Sequence, residues 1–137
     1  MIYSIDVEIT APVYDTEVTD RVADAMTALF PAGEPAYEHG ELRATVHDLD
    51  RFSEQLHRQE ILDTARGIFF DNRRGESFSF RLKKGAALHG LVNFAVEDPG
   101  ELGAISVRVR VFDPDVESVI DHVAPPTEDG TPIDVEE

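Results

Sequence analysis

The sequence predicts a single-domain α+β protein with helices packed on one face of a mixed or largely antiparallel sheet of about five strands. Three observations support this class. Five segments alternate apolar and polar residues with a period of two, which is typical of strands. Other segments carry apolar residues at spacings of three and four, which is typical of amphipathic helices. The chain has 137 residues, of which 42% are hydrophobic, enough for one domain with a real core.

The predicted order of elements is strand, helix, strand, helix pair, three strands, helix. The strands are predicted at residues 1–10, 41–47, 77–84, 88–96 and 104–112, with a turn at 85–87. The last three strands have short connections, which favours an antiparallel meander. Residues 1–124 are predicted to form the domain, and residues 125–137 an acidic, disordered tail.

The helices are predicted from their end signals as well as from their apolar stripes. Asp15 or Thr16 is the expected cap of the first helix, which Pro31 stops. After residue 48 the apolar stripe changes phase, which indicates two helices with a joint near residues 57–59. Gly75 is the expected left-handed cap that follows them. Asp113-Pro114 is the expected start of the last helix, with the aspartate as cap.

The charge balance is strongly acidic and poor in lysine. The chain has 28 acidic and 12 basic residues, for a formal net charge of −16, and its two lysines are Lys83 and Lys84. Acidic residues spread along the whole chain with so little lysine are typical of cytoplasmic proteins from extreme halophiles. At about 1 M salt the Debye length is only ~3 Å, so net charge then says little about partners.

The residue types present narrow the chemistry. With no cysteine, disulfides, thiolate catalysis and cysteine-bound metals are excluded. No apolar run is long enough to span a bilayer and the first residues read as a strand, so we expect a cytoplasmic protein. No nucleotide-binding loop, zinc pattern or catalytic constellation is visible. We therefore expect no enzyme activity, no metal, no membrane and no small-molecule cofactor.

One stretch of the chain stands out by its positive charge. Residues 62–90 hold six basic and three acidic residues. On the helical part, Arg66, Phe70, Arg73 and Arg74 share the predicted solvent-facing arc, where the ring could stack a base and the guanidinium groups could hold phosphates. The alternative is that Phe70 packs under a neighbour and the arginines favour a helix end.

A second candidate surface is the polar face of the sheet. Alternation points Arg81 and Lys83 outward, with Lys84 following, and points Arg108 and Arg110 outward on a neighbouring strand. Such a face could contact phosphates. The alternative is that Asp6, Glu8 and Glu41 neutralise the arginines across the sheet, or that a second subunit covers it near Leu91.

The segments IYSIDVEITAPVYDTEVTDRV, DLDRFSEQLHRQEILDTARG, FSFRLKKGAALHGLVNFAV and LGAISVRVRVFDPD, in this order, resemble an archaeal family described as carrying a predicted RNA-binding domain. The resemblance covers the chain up to about residue 125, and the acidity indicates a haloarchaeal member. It implies a fold similar to the ribosomal large-subunit protein that binds 5S RNA, and a homodimer. It supplies no catalytic residues.

Two functional hypotheses follow from these patterns. The first is a small homodimeric protein that binds structured RNA through phosphate contacts and base stacking. The second is a non-catalytic assembly protein, in which the same exposed residues contact another protein.

Overall fold

A five-stranded antiparallel sheet is the framework of the molecule. The computed structural model describes residues 3–95, 103–128 and 131–132. The strands are β1 (Ser4–Pro12), β2 (Ala36–Glu38), β3 (Glu41–Val46), β4 (Ser77–Lys83) and β5 (Ala104–Asp113), in the order β2-β3-β1-β5-β4. Each neighbouring pair is antiparallel, so β1 lies at the centre between β3 and β5.

The helices are α1 (Thr19–Leu29), α2 (Asp50–Arg58), α3 (Leu62–Asp71), α4 (Lys84–Leu88) and α5 (Val116–Val123). Their apolar sides are buried together with every second residue of β1, β3, β4 and β5. A cluster of phenylalanine rings joins the two layers: Phe69 of α3 lies 5.0 Å, between ring centroids, from both Phe78 and Phe80 of β4. Phe52 of α2 stacks on Phe80 at the same distance. The predicted α+β class, with about five strands and helices on one face, is confirmed.

The predicted strand at residues 88–96 is wrong, as is the turn before it. The chain forms α4 instead, whose alanines favour a helix, and Gly90 follows it at a φ of 73°. Both backbone groups of Val92 are then bound by the side chain of Gln59, which donates to its oxygen at 2.9 Å and accepts from its nitrogen at 2.8 Å. Within the described residues 88–95, backbone pairing with the sheet is limited to a bridge from Phe94 to Leu82 of β4 and to the flanking backbone hydrogen bonds of Asn93 and Ala95, so the meander is reduced to β4 and β5. Val96 lies outside the described residues.

Two helix starts differ from the prediction. The first helix begins at Thr19, later than Asp15 or Thr16 would start it, and it lacks a side-chain cap because the residue at the cap position is Val18. Glu17 accepts from the Tyr14 amide and from Lys84. The last helix is capped by Asp115 and not by Asp113, and the Asp113–Pro114 bond before it is cis.

The joint between α2 and α3 lies two residues later than predicted, at residues 59–61, where Glu60 has a φ of 57°. Gly75 is left-handed as expected, with a φ of 59°, but it does not cap a helix. It lies in the tight turn between Arg74 and Ser77, which are hydrogen-bonded to each other at the start of β4.

Of the predicted tail, residues 125–128 and 131–132 are described. Within them β6 (Thr127–Glu128) pairs with β7 (Thr131–Pro132), and the Thr127 hydroxyl donates to Asp63 at 2.8 Å. The disordered tail therefore stays a prediction. Among the described residues, no helix has the length and apolar character needed to cross a membrane.

A buried ion pair ties α4 to the end of β1. Lys84 Nζ lies 2.9 Å from Glu17 Oε1 and donates to the Pro12 carbonyl oxygen at 2.6 Å, and both side chains are about nine-tenths buried. Breaking such a pair leaves an uncompensated buried charge, which costs about 3–5 kcal/mol.

We therefore expect Lys84→Met to lower the free energy of unfolding by about 3 kcal/mol in denaturant titrations. Lys83→Met is the matched control, because Lys83 is exposed, and we expect it to change stability by less than about 0.5 kcal/mol. Equal effects of the two substitutions would contradict the role given to the buried pair.

The cap of α5 makes stability depend on pH at the acidic end. The amide and hydroxyl of Ser118, with a smaller contribution from the charge of Arg73, hold the pKa of Asp115 below its ordinary value of 3.8. A lowered pKa stabilises the fold at pH values above the ordinary pKa, and this contribution is lost as pH falls through the lowered pKa.

We expect Asp115→Ala to be less stable than the parent at pH 7, with the difference in stability shrinking below pH 3.8. A difference between thermal unfolding midpoints that is independent of pH would contradict this.

Candidate nucleic-acid interface

One face of the sheet carries no helix, and alternation fills it with polar side chains. The surface is exposed or half-buried at each of these positions: Asp6, Glu8 and Thr10 of β1, Arg43 and Thr45 of β3, Ser79, Arg81 and Lys83 of β4, and Ser106, Arg108, Arg110 and Phe112 of β5. We call this set the open face. Its cations concentrate on β4 and β5, as the sequence predicted.

The acidic residues of the open face lie opposite the arginines but do not bind them. The register of β1 with β5 pairs Asp6 with Arg110 and Glu8 with Arg108. Among the described residues, however, neither arginine has a carboxylate within 4.0 Å. Asp6 lies 3.1 Å from His47 Nδ1 instead.

Glu41 is the third acid that could have neutralised the arginines of β4 and β5, but it pairs with an arginine of its own strand, β3. Glu41 accepts from Arg43 Nε at 2.7 Å, within β3. The charges of Arg108 and Arg110 thus remain exposed on the open face.

Phe112 is an aromatic residue of this face that the sequence reasoning did not select. It is 56% exposed and follows Arg110 by two positions, so that both point to the same side. The Arg110 guanidinium carbon lies 5.7 Å from its ring centroid, a cation–π geometry. Extending the series of outward-facing residues on β5 from Arg110 by two positions would have identified Phe112 from the sequence.

Two hollows lie side by side along the cationic strands. The larger, of about 630 Å³, reaches from β1 across β5 and β4 to the end of α3, and we call it the groove. The smaller, of about 200 Å³, is lined by Arg74, Arg110 and Phe112 among others. Arg108 lines both hollows and therefore lies between them.

The outer edge of β4 is occupied by local partners, and this gives the groove its outer wall. The Asn72 side-chain nitrogen donates to the Ser79 carbonyl oxygen at 3.0 Å. The Ala95 amide donates to the Arg81 carbonyl oxygen, and the Lys83 amide donates to the Asn93 carbonyl oxygen, both at 2.9 Å. Strand addition by another chain is therefore blocked along most of this edge.

The helical surface predicted around Arg66 does not assemble. Arg66 donates to Asp121 at 2.7 Å and to the Ala124 carbonyl oxygen at 3.2 Å, and it lies over the ring of Phe70 at 5.0 Å. Phe70 is half-buried against the core. These contacts fasten α3 to the end of α5 and correspond to the alternative in which the residues serve the fold.

The remaining residues selected from the sequence lie at different places in the structure, and only some of them are near the open face. Arg73 is exposed and acts on Asp115, whereas Arg74 lines the smaller hollow beside the open face. Lys84 is buried in its ion pair and does not reach the open face. Leu91 is 46% exposed in the loop after α4, so it does not mark a covered sheet face.

The proteins most similar to this chain in sequence and in structure include small archaeal proteins with the same α+β fold. The chain is 38% identical over 136 residues to a UPF0201 protein of Thermococcus kodakarensis, covering 94% of this chain and 96% of that protein. It matches a UPF0200/UPF0201 protein of Archaeoglobus fulgidus with 34% identity over 131 residues, which is 95% of this chain but only 40% of the length of that relative. The crystal structure of the UPF0201 protein from Methanococcus jannaschii superposes with a TM-score of 0.88 at 30% identity, covering 94% and 99% of the two chains.

The chain belongs to the UPF0201 family. The expected membership of an archaeal family is thereby confirmed. No family model matches the sequence.

The structural role of Arg66 can be tested by comparison with Arg73, an exposed arginine just beyond the end of α3. We expect Arg66→Met to lower the free energy of unfolding by about 2 kcal/mol, because it leaves the largely buried Asp121 carboxylate without its partner. Arg73→Met is the control on an exposed position, and we expect a change below about 0.5 kcal/mol. Denaturant titrations of both variants measure the difference. If Arg66→Met left the free energy of unfolding unchanged, Arg66 would again be a candidate for ligand binding.

Proposed function

We propose that this protein binds RNA on the open face, with Arg81, Lys83, Arg108 and Arg110 contacting phosphates and Phe112 stacking a base. The observation that carries the proposal is the concentration of exposed cations on two neighbouring strands of a protein whose net charge is −16. An exposed aromatic ring lies next to them.

The geometry suits an extended segment of RNA. Arg108 and Arg110 are two residues apart on one strand, which separates their Cα atoms by about 7 Å. Arg81 and Lys83 run antiparallel to them on β4, and the register pairs Arg81 with Ser106. In this register Lys83 and Arg81 on β4 are followed, further along the sheet, by Arg108 and Arg110 on β5. The four cations therefore form one staggered line that can follow an RNA backbone, and Phe112 offers its face to a base at the end of β5.

The same arrangement favours unpaired segments over regular duplex. Sequence-specific contacts to RNA are made mostly in loops and bulges, where splayed bases can stack on aromatic side chains. We therefore infer that the ligand is a loop within a structured RNA, ribosomal or other. The resemblance to a family with a predicted RNA-binding domain, and to the fold of the 5S-RNA-binding ribosomal protein, supports this choice of ligand.

The charge pattern supports a haloarchaeal, cytoplasmic setting for this binding. In about 1 M salt, charges interact over only ~3 Å. Binding then depends on short contacts, for which the arginine fork is better suited than a lysine point charge. Ten of the 12 basic residues are arginine, which agrees with such a setting.

Homodimer formation through the open face is a second candidate function. The observation in its favour is Phe112, since exposed aromatics are enriched in the cores of interfaces. In a twofold interface, however, the same surface meets itself. A contact centred on β4 and β5 would bring like charges together, so RNA is the better partner for these residues.

The test is binding of RNA that co-purifies with the protein from a high-salt lysate, measured by fluorescence anisotropy in about 1 M KCl. We expect the double variant Arg108→Ala/Arg110→Ala to bind at least about tenfold more weakly, because two phosphate contacts are lost. Phe112→Ala should weaken binding by about tenfold, the typical contribution of one stacked base.

Arg21→Ala is the matched control, since Arg21 is exposed on α1, away from the open face. It should leave the affinity unchanged. Light scattering on the same samples measures oligomeric state. If the protein neither carries nor binds RNA, or if the double variant binds like the parent, the proposal fails. A shift from dimer to monomer in Phe112→Ala without an effect on RNA would favour self-association.

A further inference from the structure

We infer that the smaller hollow, beside the ends of β4 and β5, is a binding site for a phosphomonoester, the doubly charged phosphate of a free nucleotide or of a phosphorylated RNA end. The site shares Arg108 and Arg110 with the proposed RNA surface, but Arg74 is added to them. A small molecule can fill it whether or not the protein binds longer RNA.

One row across the sheet places an arginine on each side of a serine. The register pairs Arg110 of β5 with Ser77, the first residue of β4. On its other side Ser77 is bridged to Arg74 by two backbone hydrogen bonds, of 2.8 and 3.1 Å. Residues paired across antiparallel strands point to the same side, with Cα atoms about 4.5–5.5 Å apart. Arg74 and Arg110 are thus about 10 Å apart at Cα, near enough for both guanidinium groups to reach one phosphate above Ser77.

The residue between the two arginines is small and lies deep in the hollow. Ser77 is only 8% exposed, and its hydroxyl donates to the Arg74 carbonyl oxygen at 3.0 Å. It alternates with Phe78, which is buried in the core, so Ser77 belongs to the side of the open face. Arg108, two positions before Arg110, lines the same hollow. Three arginines therefore border a hollow with a serine as its floor.

The charge of the hollow suits a doubly negative group. Among the described residues, none of its three arginines has a carboxylate within 4.0 Å. Arg74 Nη1 donates to the Arg73 carbonyl oxygen, and the other N–H groups of this guanidinium can bind a ligand. Glu76, which is exposed, also lines the hollow, so three arginines and one glutamate give it a formal charge of +2. A phosphomonoester carries a charge of about −1.5 to −2 at pH 7.

The size of the hollow suits a phosphate whose base lies outside. Its volume of about 200 Å³ is below the ~300–1,000 Å³ of sites that enclose a whole small molecule. Phe112 also lines it, and this residue follows Arg110 by two positions, about 7 Å along β5. A base and the phosphate of the same nucleotide are separated by a similar distance. The ring can therefore stack the base while the arginine forks hold the phosphate oxygens.

The first experiment compares methyl phosphate with dimethyl phosphate, which has one negative charge. Each is titrated into isotope-labelled protein in about 1 M KCl, and the amide NMR shifts of Ser77 and Val111 are followed. We expect the parent to bind methyl phosphate at least about tenfold more tightly, because three arginines favour the second charge. Equal affinity for the two esters would overturn the inference.

Three variants test which residues hold the phosphate. Arg74→Gln should weaken binding of methyl phosphate by about tenfold, because one charge-assisted contact is lost. Arg73→Gln is the matched control, since Arg73 is exposed and does not line the hollow, and it should bind like the parent. Glu76→Gln should bind more tightly than the parent, because it removes the negative charge of the hollow. An Arg74→Gln variant with the affinity of the parent would contradict the site.

Two further ligands distinguish the sources of the phosphate. Adenosine monophosphate should bind about tenfold more tightly than methyl phosphate in the parent, and Phe112→Ala should remove this gain. One RNA oligomer is also compared with and without a phosphate at its 5′ end. Tighter binding of the phosphorylated oligomer supports the site with an RNA end as its ligand. Equal binding of the two oligomers, with adenosine monophosphate bound, supports the site with a free nucleotide as its ligand.

The same measurements separate this site from the proposed function. Binding of methyl phosphate that depends on Arg74, in a protein that binds no RNA, would support the site and overturn the proposed function. RNA binding that depends on Arg108 and Arg110 but is unchanged in Arg74→Gln, without a preference for methyl phosphate, would overturn the inference and leave the proposed function intact.

Discussion

The pairing of β1 on both sides is the constraint on which the rest of the structure depends. Because β1 is central, its alternating residues are fixed to two environments at once: Ile5, Val7 and Ile9 are almost fully buried under the helices, while Asp6 and Glu8 face the open side. A slip of one residue would exchange these sets and bury the carboxylates. The register that builds the core therefore also places the acidic residues of β1 beside the arginines of β5, and the contrast of charge within the open face follows from it.

Much of the sheet could be predicted from the sequence because its information is local. Period-two alternation is visible in the strands themselves, and it places Arg108 and Arg110 on the polar side without any knowledge of their neighbours. The same rule reaches Phe112 when it is carried one step further. Helix ends were less predictable: Asp15 and Thr16 were expected to cap the first helix, but it begins at Thr19, and Glu17 just before it pairs with Lys84, a residue 67 positions away.

The part of the candidate site that could not be predicted depends on contacts between distant segments. Residues 88–95 contain apolar residues at strand-like spacing, but the partner of Val92 is a side chain and not a strand. Helical periodicity places Arg66, Arg73 and Arg74 on one predicted arc, but α3 ends at Asp71, and among the described residues Arg66 is the arginine that pairs with Asp121. A pattern shows which way a residue points; it cannot show which partner, 33 or 55 positions along the chain, lies there.

The two hydrogen bonds between the Gln59 side chain and the Val92 backbone limit which residues could replace Gln59. One side chain supplies both a donor and an acceptor to a backbone unit, a task that a neighbouring strand performs elsewhere in the sheet. Glutamate would lose the donor, lysine or arginine the acceptor, and asparagine would fall short by one methylene. The chemical requirement at position 59 is therefore narrow, although the residue belongs to neither the hydrophobic core nor the open face, because its side chain holds the segment that forms the wall of the groove.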